Sequence, residues 1–250
     1  MTNVRVETLV YEADANMVGT LYLPERPGPA PGVVVFSDIF GLGDHARERA
    51  LRLAERGNVV LAADLHGDGR ILAVEPAMEE LARFHKDSEI PCRRGEAALA
   101  ALTASSRVDA ARIAAIGFCY GGTLALELAR RGAQLNAVVG FHSGLATSNP
   151  HGAALIRGKV LACIGSEDPA VPAAQRAAFE AEMRAAGVDW QLHLYGGVYH
   201  TFTDWRSDGW GRPEFARYDA AADRRSWGAM CTLLDEVFAD GVAARNEGRP

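Results

Sequence analysis

The sequence has only two lysines, Lys86 and Lys159, among its 26 basic residues, and acidic residues outnumber basic ones. The 32 acidic residues give a formal net charge of −6, so general electrostatic attraction to nucleic acid or to an anionic membrane surface is not expected. The scarcity of lysine beside abundant alanine and arginine reflects genome composition rather than chemistry. The charge balance therefore argues against nucleic acid and membrane surfaces as partners.

Long apolar runs and paired cysteines are also missing. No apolar run reaches the length of about 18 residues that a membrane helix needs, and residues 1–7 lack the features of a signal peptide. The four cysteines have no C-x-x-C spacing, which argues against metal clusters and structural disulfides. These absences predict a reduced, cytoplasmic protein in which Cys163 and Cys231 belong to the core.

The composition is that of an ordinary globular domain, with 48% hydrophobic and 23% charged residues. No repeat or long linker divides the 250 residues, which predicts one domain over residues 1–240 and a frayed polar tail over 241–250. The apolar patterns predict strands over 4–11, 17–23, 32–36, 59–63, 112–116, 137–141, 160–164 and 191–195. They predict helices over 44–56, 76–85, 93–104, 121–131, 173–186 and 219–239. This alternation predicts an α/β fold, a mostly parallel doubly wound sheet with helices on both faces.

The most informative segment is Gly-Phe-Cys-Tyr-Gly at 117–121, which joins a predicted buried strand to a predicted helix. In that context a G-x-nucleophile-x-G pattern is typical of the nucleophile elbow of α/β-hydrolases. Glycines are needed there because the two backbones approach too closely for a β-carbon. The positive end of a helix stabilises a thiolate, so Cys119 is predicted to be a nucleophile rather than a small core residue.

A nucleophile at an elbow needs a base and a group that orients the base, and in this fold they follow in the order nucleophile, acid, histidine. Asp168 follows one predicted strand and His200 follows the next, at the same sheet edge as Cys119. We therefore predict a triad of these three residues. Glu167 is the rival for the orienting acid, and the order alone does not exclude it; Asp168 is preferred because an aspartate before a proline has a short, fixed reach.

Five segments together resemble the dienelactone hydrolase family of α/β-hydrolases: residues 35–41 (VFSDIFG), 63–67 (ADLHG), 117–122 (GFCYGG), the loop around Asp168, and 197–202 (GVYHTF). The resemblance extends from about Val4 to Phe238. It implies hydrolysis of a small-molecule lactone or related ester by a Cys-His-Asp triad, here Cys119, His200 and Asp168. It implies no cofactor and no metal.

The resemblance also implies roles for residues near the triad. The N–H groups of Ile39 and Tyr120 would form the oxyanion hole, where each donor contributes about 2.7–4 kcal/mol. Asp38 takes the place of a family glutamate that holds or deprotonates the thiol; it is one methylene shorter, and it could instead cap the next turn. His142 either lines the pocket or is a hydrogen-bonded structural histidine.

Substrate charge is the point at which the chain departs from the family pattern. Family members that act on the acidic dienelactone have an arginine after the catalytic histidine, where this chain has Asp204. An aspartate would repel a substrate carboxylate, and Arg206 and Arg94, which could compensate, are expected at the surface. The nearby aromatic residues predict an apolar rim or else packing under the last helix: Tyr199, Trp205 and Trp210.

The sequence thus predicts a single-domain hydrolase, a monomer or small homo-oligomer, that cleaves a lactone or small activated ester through a thioester acyl-enzyme. Thioesterase or aryl esterase activity on the same triad is the nearest alternative. A redox role for Cys119 is disfavoured because no resolving cysteine lies near it in the sequence. A non-catalytic binding module is disfavoured because no triad member is missing. His66 and His85 are interpreted as loop and helix residues without chemistry.

Overall fold

The computed structural model describes residues 3–246, with side chains described as far as residue 239. Its strands are β1 Val4–Glu12, β2 Asn16–Pro24, β3 Ala30–Phe36, β4 Val59–Ala63, β5 Val108–Phe118, β6 Ala137–Phe141, β7 Lys159–Gly165 and β8 Trp190–Tyr195. Its α-helices are α1 Asp44–Glu55, α2 Val74–Lys86, α3 Glu89–Thr103, α4 Tyr120–Arg130, α5 Ala173–Ala186 and α6 Ala220–Asn246. Two short 3-10 helices, which the sequence patterns do not predict, cover Pro150–Leu155 and Ser207–Trp210.

The eight strands form one sheet in the order β1-β2-β4-β3-β5-β6-β7-β8. The pairs β1–β2 and β2–β4 are antiparallel, and every other neighbouring pair is parallel. The chain runs outward from β3 to β4 and then returns to β5 on the other side of β3. A crevice therefore opens at the carboxyl ends of β3 and β5, which is where ligands bind in such sheets.

Helices cover both faces of the sheet, which is why the central strands are apolar throughout. Every residue of β3, β4 and β6 is buried. One face packs against α3, α4 and α5 through residues such as Leu102, Leu128 and Phe179. The other face packs against α1 and α6 through residues such as Leu53 and Met230. The predicted single-domain, doubly wound α/β fold is confirmed.

The largest differences from the predicted elements lie at the ends of helices and of β5, which begins four residues before its predicted start at 112 and ends two residues after its predicted end at 116. Helices α2 and α3 begin two and four residues before their predicted starts at 76 and 93, because Pro76 and Pro91 are tolerated in a first turn whose N–H groups have no intrahelical partner. Helix α6 extends to Asn246, so the tail predicted at 241–250 begins inside a helix, and residues 247–250 lie outside the described residues. None of the described helices combines the length and apolar character needed to cross a bilayer.

Candidate active site

Cys119 lies at the sharp turn between β5 and α4, with φ of 51° and ψ of −120°. Non-glycine residues rarely adopt positive φ, and such strain concentrates at functional sites. The turn depends on glycines, because a β-carbon on Gly121 would lie 2.2 Å from the carbonyl oxygen of Ser37, and one on Gly117 would lie 2.2 Å from the backbone of Gly121. The result is a partly exposed thiol at the N-terminus of α4.

His200 lies between Cys119 and Asp168. Its Nε2 is 3.3 Å from Sγ of Cys119, and its Nδ1 is 2.7 Å from Oδ2 of Asp168. The other carboxylate oxygen of Asp168 accepts the N–H of Ala170 at 2.8 Å, which fixes the orientation of the carboxylate. Both His200 and Asp168 are buried. Because the carboxylate accepts the proton on Nδ1, Nε2 is the nitrogen that exchanges a proton with the thiol.

The surroundings of His200 favour its charged form. Burial lowers its pKa, but the charge of Cys119 and the hydrogen bond to Asp168 outweigh burial and raise the pKa to about 10. Glu167 is exposed and accepts a hydrogen bond from Ser166 at 2.9 Å instead. The structure therefore brings Cys119, His200 and Asp168 together and leaves Glu167 outside the cluster.

The two residues predicted to supply the oxyanion donors, Ile39 and Tyr120, lie in the elements that form the elbow region. The N–H of Tyr120 is the first in α4 and has no intrahelical acceptor. Ile39 lies in the loop after β3, which packs directly against the elbow at Gly121. Ile39, Tyr120 and Cys119 share one small apolar cluster with residues of α2. The structure therefore places the two residues in the same cluster as Cys119, and the oxyanion-hole role of their N–H groups stays a prediction.

Asp38 is buried, and its carboxylate turns back onto its own loop. Its Oδ1 accepts the N–H of Phe40 at 2.9 Å, and among the described residues it makes no hydrogen bond to Cys119. Burial raises its pKa to about 6, the Phe40 bond opposes the shift, and the charge of Asp204 adds to it. Of the two interpretations of Asp38, the structure shows the turn cap, and the described residues include no hydrogen bond between Asp38 and the thiol.

Asp204, which takes the place of an arginine in the family pattern, is paired with Arg206. Asp204 is buried and accepts hydrogen bonds from Nε and Nη2 of Arg206 at 3.0 and 2.8 Å. Burial alone would raise the pKa of Asp204, but Arg206 holds it below its usual value. Arg94, which was predicted at the surface, is buried instead, because it bridges α3 to Asp14 in the turn between β1 and β2.

Several aromatic residues lie near the triad and the elbow. Trp205 and Trp210 are exposed, and the ring of Trp210 meets the ring of Phe40 edge-on with centroids 5.5 Å apart. Phe215 lies 5.1 Å from the ring of His200. Phe84 of α2 is buried and stacks on Tyr120 at 5.4 Å. The exposure of Trp205 and Trp210 argues against packing of these two side chains beneath α6, and the apolar rim stays a prediction.

His142 belongs to a buried network behind the triad. Its Nε2 is 2.8 Å from the hydroxyl of Thr203, its ring lies 5.2 Å from that of His200, and its φ is 42°. Burial and the charge of His200 lower its pKa well below the usual value. The hydroxyl of Thr203 also lies 3.2 Å from Nε2 of His45, and Nε of Arg49 donates a hydrogen bond to the same His45 nitrogen. The sequence patterns did not reveal this part, because His45 and Arg49 look like ordinary polar residues of α1.

The fold and the elbow define the chain as an α/β-hydrolase. The model of the family described as "Dienelactone hydrolase family" matches residues 17–238, and the chain belongs to that family. It is 29% identical over 222 residues, 80% of this chain and 76% of the relative, to a protein of Methylorubrum extorquens named for carboxymethylenebutenolidase. Family membership makes the chain a carboxylic ester hydrolase.

Two solved structures resemble the chain over almost its whole length. One is a dienelactone hydrolase-like promiscuous phosphotriesterase, P91, from metagenomic libraries, which is 42% identical with a TM-score of 0.90, over 94% of this chain and 99% of that one. The other, titled m3DLH, is 46% identical with a TM-score of 0.86 and the same coverage. The overall fold is therefore shared with structures of similar sequence.

Proposed function

We propose that this hydrolase cleaves a lactone or small activated ester with Cys119 as nucleophile, His200 as acid and base, and Asp168 as the orienting group. The observation that carries the proposal is the continuous line of contacts, 2.7 Å from Asp168 to His200 and 3.3 Å from His200 to Cys119. The raised pKa of His200, about 10, supports a protonated imidazole beside the thiol. A positive charge at that position stabilises the thiolate that attacks the substrate.

In the acylation half, the Cys119 thiolate attacks the carbonyl carbon and the carbonyl oxygen becomes an oxyanion. The N–H groups of Ile39 and Tyr120 stabilise that charge. When the tetrahedral intermediate collapses, the C–O bond to the leaving group breaks and His200 gives its proton to the leaving oxygen. The products of this half are a thioester on Cys119 and an alcohol or enol, which in a lactone stays part of the same molecule.

In the deacylation half, neutral His200 removes a proton from a water molecule, and the resulting hydroxide attacks the thioester carbonyl. The C–S bond breaks, and Cys119 leaves as a thiolate beside the imidazolium. A thiolate leaves a tetrahedral intermediate more easily than an alkoxide does. This site therefore suits substrates whose leaving oxygen is already stabilised, such as enol lactones and aryl esters, and thioesters remain an alternative.

The charges around the site support a neutral substrate rather than an acidic one. The carboxylate of Asp204 accepts hydrogen bonds from Arg206 and neutralises its charge, so this arginine is not free to bind a substrate carboxylate. Asp38, a second buried acid nearby, adds negative charge above about pH 6. The adjacent rings of Phe40 and Trp210 would supply apolar contacts instead.

A second candidate activity is hydrolysis of phosphotriesters, favoured by the 42% identity and TM-score of 0.90 with the promiscuous phosphotriesterase P91. In this reaction Cys119 would attack phosphorus, an aryl oxide would leave, and water would then break the S–P bond to release a phosphodiester and the thiolate. Neutral aryl phosphotriesters match the uncharged, activated substrates for which the site is suited.

The burial of the other cysteines supports hydrolysis over a redox role for Cys119. Cys92, Cys163 and Cys231 are all buried. Burial raises the pKa of Cys92 and of Cys163 to about 12, which leaves them as poor resolving thiols. The cytoplasmic location and the monomeric or small homo-oligomeric state stay predictions.

The proposal is tested by comparing wild type with Cys119→Ala on a panel of dienelactone, a neutral enol lactone, dihydrocoumarin, p-nitrophenyl esters and an aryl phosphotriester. We expect turnover of the neutral lactones and aryl esters in wild type and none in Cys119→Ala. Mass spectrometry of rapidly quenched wild-type enzyme should detect the acyl adduct on the peptide that contains Cys119. Equal turnover in both proteins would show that the thiol is not the nucleophile.

A further inference from the structure

The loop that carries the Ile39 N–H is shaped by contacts within itself. The carboxylate of Asp38 accepts the N–H of Phe40 at 2.9 Å, and the carbonyl of Asp38 accepts the N–H of Gly41 at 3.2 Å. These bonds fix the peptides on either side of Ile39 relative to each other. They do not fix the distance between the loop and Cys119, which has to be set by contacts from outside the loop.

The side-chain hydrogen bond to Ile39 itself comes from outside the loop, from His66 in the loop after β4. Its Nε2 lies 2.8 Å from the carbonyl oxygen of Ile39, and both groups are buried. A carbonyl oxygen can only accept, so Nε2 carries the hydrogen and donates it. A backbone bond from Leu72 to Phe40, at 2.8 Å, holds the far end of the same loop.

His66 is itself held rigidly. The carboxylate of Asp64 accepts the N–H groups of His66, Gly67 and Gly69 at 2.9, 3.1 and 2.8 Å, which fixes the backbone of the loop after β4. The His66 ring stacks on Phe84 of α2 with centroids 6.0 Å apart and planes 10° apart. Because the His66 ring is held in place, its hydrogen bond also fixes the position of the Ile39 carbonyl.

The stack also connects His66 to the second oxyanion donor. Phe84 stacks on the ring of Tyr120 at 5.4 Å, and the N–H of Tyr120 is the other group predicted to stabilise the oxyanion. The remaining ring nitrogen of His66 is buried without a hydrogen-bond partner among the described residues, 3.9 Å from a carboxylate oxygen of Glu80. Among the described residues, the imidazole of His66 therefore makes a single hydrogen bond, the one to the Ile39 carbonyl.

We propose that His66 is a positioning residue for the oxyanion hole, and that its hydrogen bond to the Ile39 carbonyl sets where the Ile39 N–H meets the substrate oxygen. The inference rests on the proposed function, since it concerns the oxyanion that forms during acylation of Cys119. The sequence patterns had indicated no chemical role for His66.

The test uses two amide substitutions of His66 that differ in reach. His66→Gln places an amide nitrogen near the position of Nε2 and keeps the bond to Ile39, whereas the amide of His66→Asn reaches only the position of Nδ1. The acylation rate is read from the pre-steady-state release of p-nitrophenol from p-nitrophenyl acetate. We expect His66→Asn to acylate about 10- to 100-fold more slowly, with KM little changed, and His66→Gln to stay within about fivefold of wild type.

A reaction of the same thiol that forms no oxyanion serves as the control. Methyl methanethiosulfonate converts the Cys119 thiolate to a mixed disulfide and releases methanesulfinate. We expect this rate to be the same in all three proteins. If His66→Asn and His66→Gln acylate equally fast, or if His66→Asn slows both reactions equally, His66 has only a structural role and the proposal is wrong. If wild type reacts with the thiosulfonate but releases no p-nitrophenol, the proposed function fails, and this inference with it.

Discussion

The carboxylate of Asp168 lies 2.7 Å from Nδ1 of His200, and both side chains are buried, while the adjacent Glu167 is exposed. An asparagine at 168 cannot replace the charge that stabilises the imidazolium and selects its tautomer. We therefore expect Asp168→Asn to lower kcat for an aryl ester by about 10²- to 10⁴-fold.

Glu167→Gln is the matched control for this substitution, because it makes the same chemical change one residue away. We expect its kcat to stay within about twofold of wild type, since an exposed surface carboxylate contributes little. Steady-state hydrolysis of p-nitrophenyl acetate at pH 7.5 measures both variants. A loss in Glu167→Gln as large as that in Asp168→Asn would assign the orienting role to Glu167.

The pKa of His200 should fall when the thiol is removed. Cys119 is the leading cause that raises this pKa from 6.5 to about 10, and burial, which lowers it, remains after substitution. Cys119→Ala should therefore shift the His200 titration to lower pH, as measured by NMR of the imidazole carbons. A titration midpoint that is the same in both proteins would contradict a thiolate–imidazolium pair.

Asp38→Asn should stabilise the protein at pH 8. Burial raises the pKa of Asp38 from 3.8 to about 6, so stability from its protonated form is present below about pH 4 and is lost as pH rises through 6. Asparagine keeps an oxygen acceptor for the Phe40 N–H without the charge. We expect a gain of about 1–3 kcal/mol at pH 8 and almost none at pH 4, measured by urea unfolding. A gain that is equal at both pH values would rule out ionisation as its cause.

Asp204→Asn should shift substrate preference toward acidic lactones. The asparagine oxygen can still accept a hydrogen bond from Arg206, but the positive charge of Arg206 is no longer neutralised. We expect the ratio of kcat/KM for the acidic dienelactone to that for a neutral enol lactone to rise by about 3- to 10-fold. The ratio should fall back at 1 M salt, where charges are screened. An unchanged ratio would mean that Arg206 does not reach the substrate.

Gly121→Ala should prevent the elbow from forming. Its β-carbon would lie 2.2 Å from the carbonyl oxygen of Ser37, a backbone atom that cannot move aside. We expect a loss of at least about 3 kcal/mol or no folded protein. Gly228→Ala is the matched control in α6, where no atom lies within 4 Å of the new carbon, and it should stabilise the protein by about 0.5–1 kcal/mol. Thermal unfolding compares the two, and equal stabilities would contradict the close approach at the elbow.

The parts of the site that depend on local sequence could be predicted. The strand, glycines and helix around Cys119 identify the elbow because only that backbone geometry requires glycines on both sides of the nucleophile. Asp168 and His200 could be placed at the same edge because parallel strands end on one side of a sheet. The order of the strands and helices could likewise be predicted, because apolar runs mark the elements and glycines mark the ends of several helices.

Tertiary structure alone decided the contacts between segments distant in the chain. Asp38 caps its own turn, Asp204 is neutralised by Arg206, and Arg94 is buried against Asp14. His66 donates to Ile39 across 27 positions of sequence. The physical reason is that a buried polar side chain needs a hydrogen-bond partner within about 3 Å. Which group lies at that distance is decided by the tertiary packing of the chain and not by the residues adjacent in sequence.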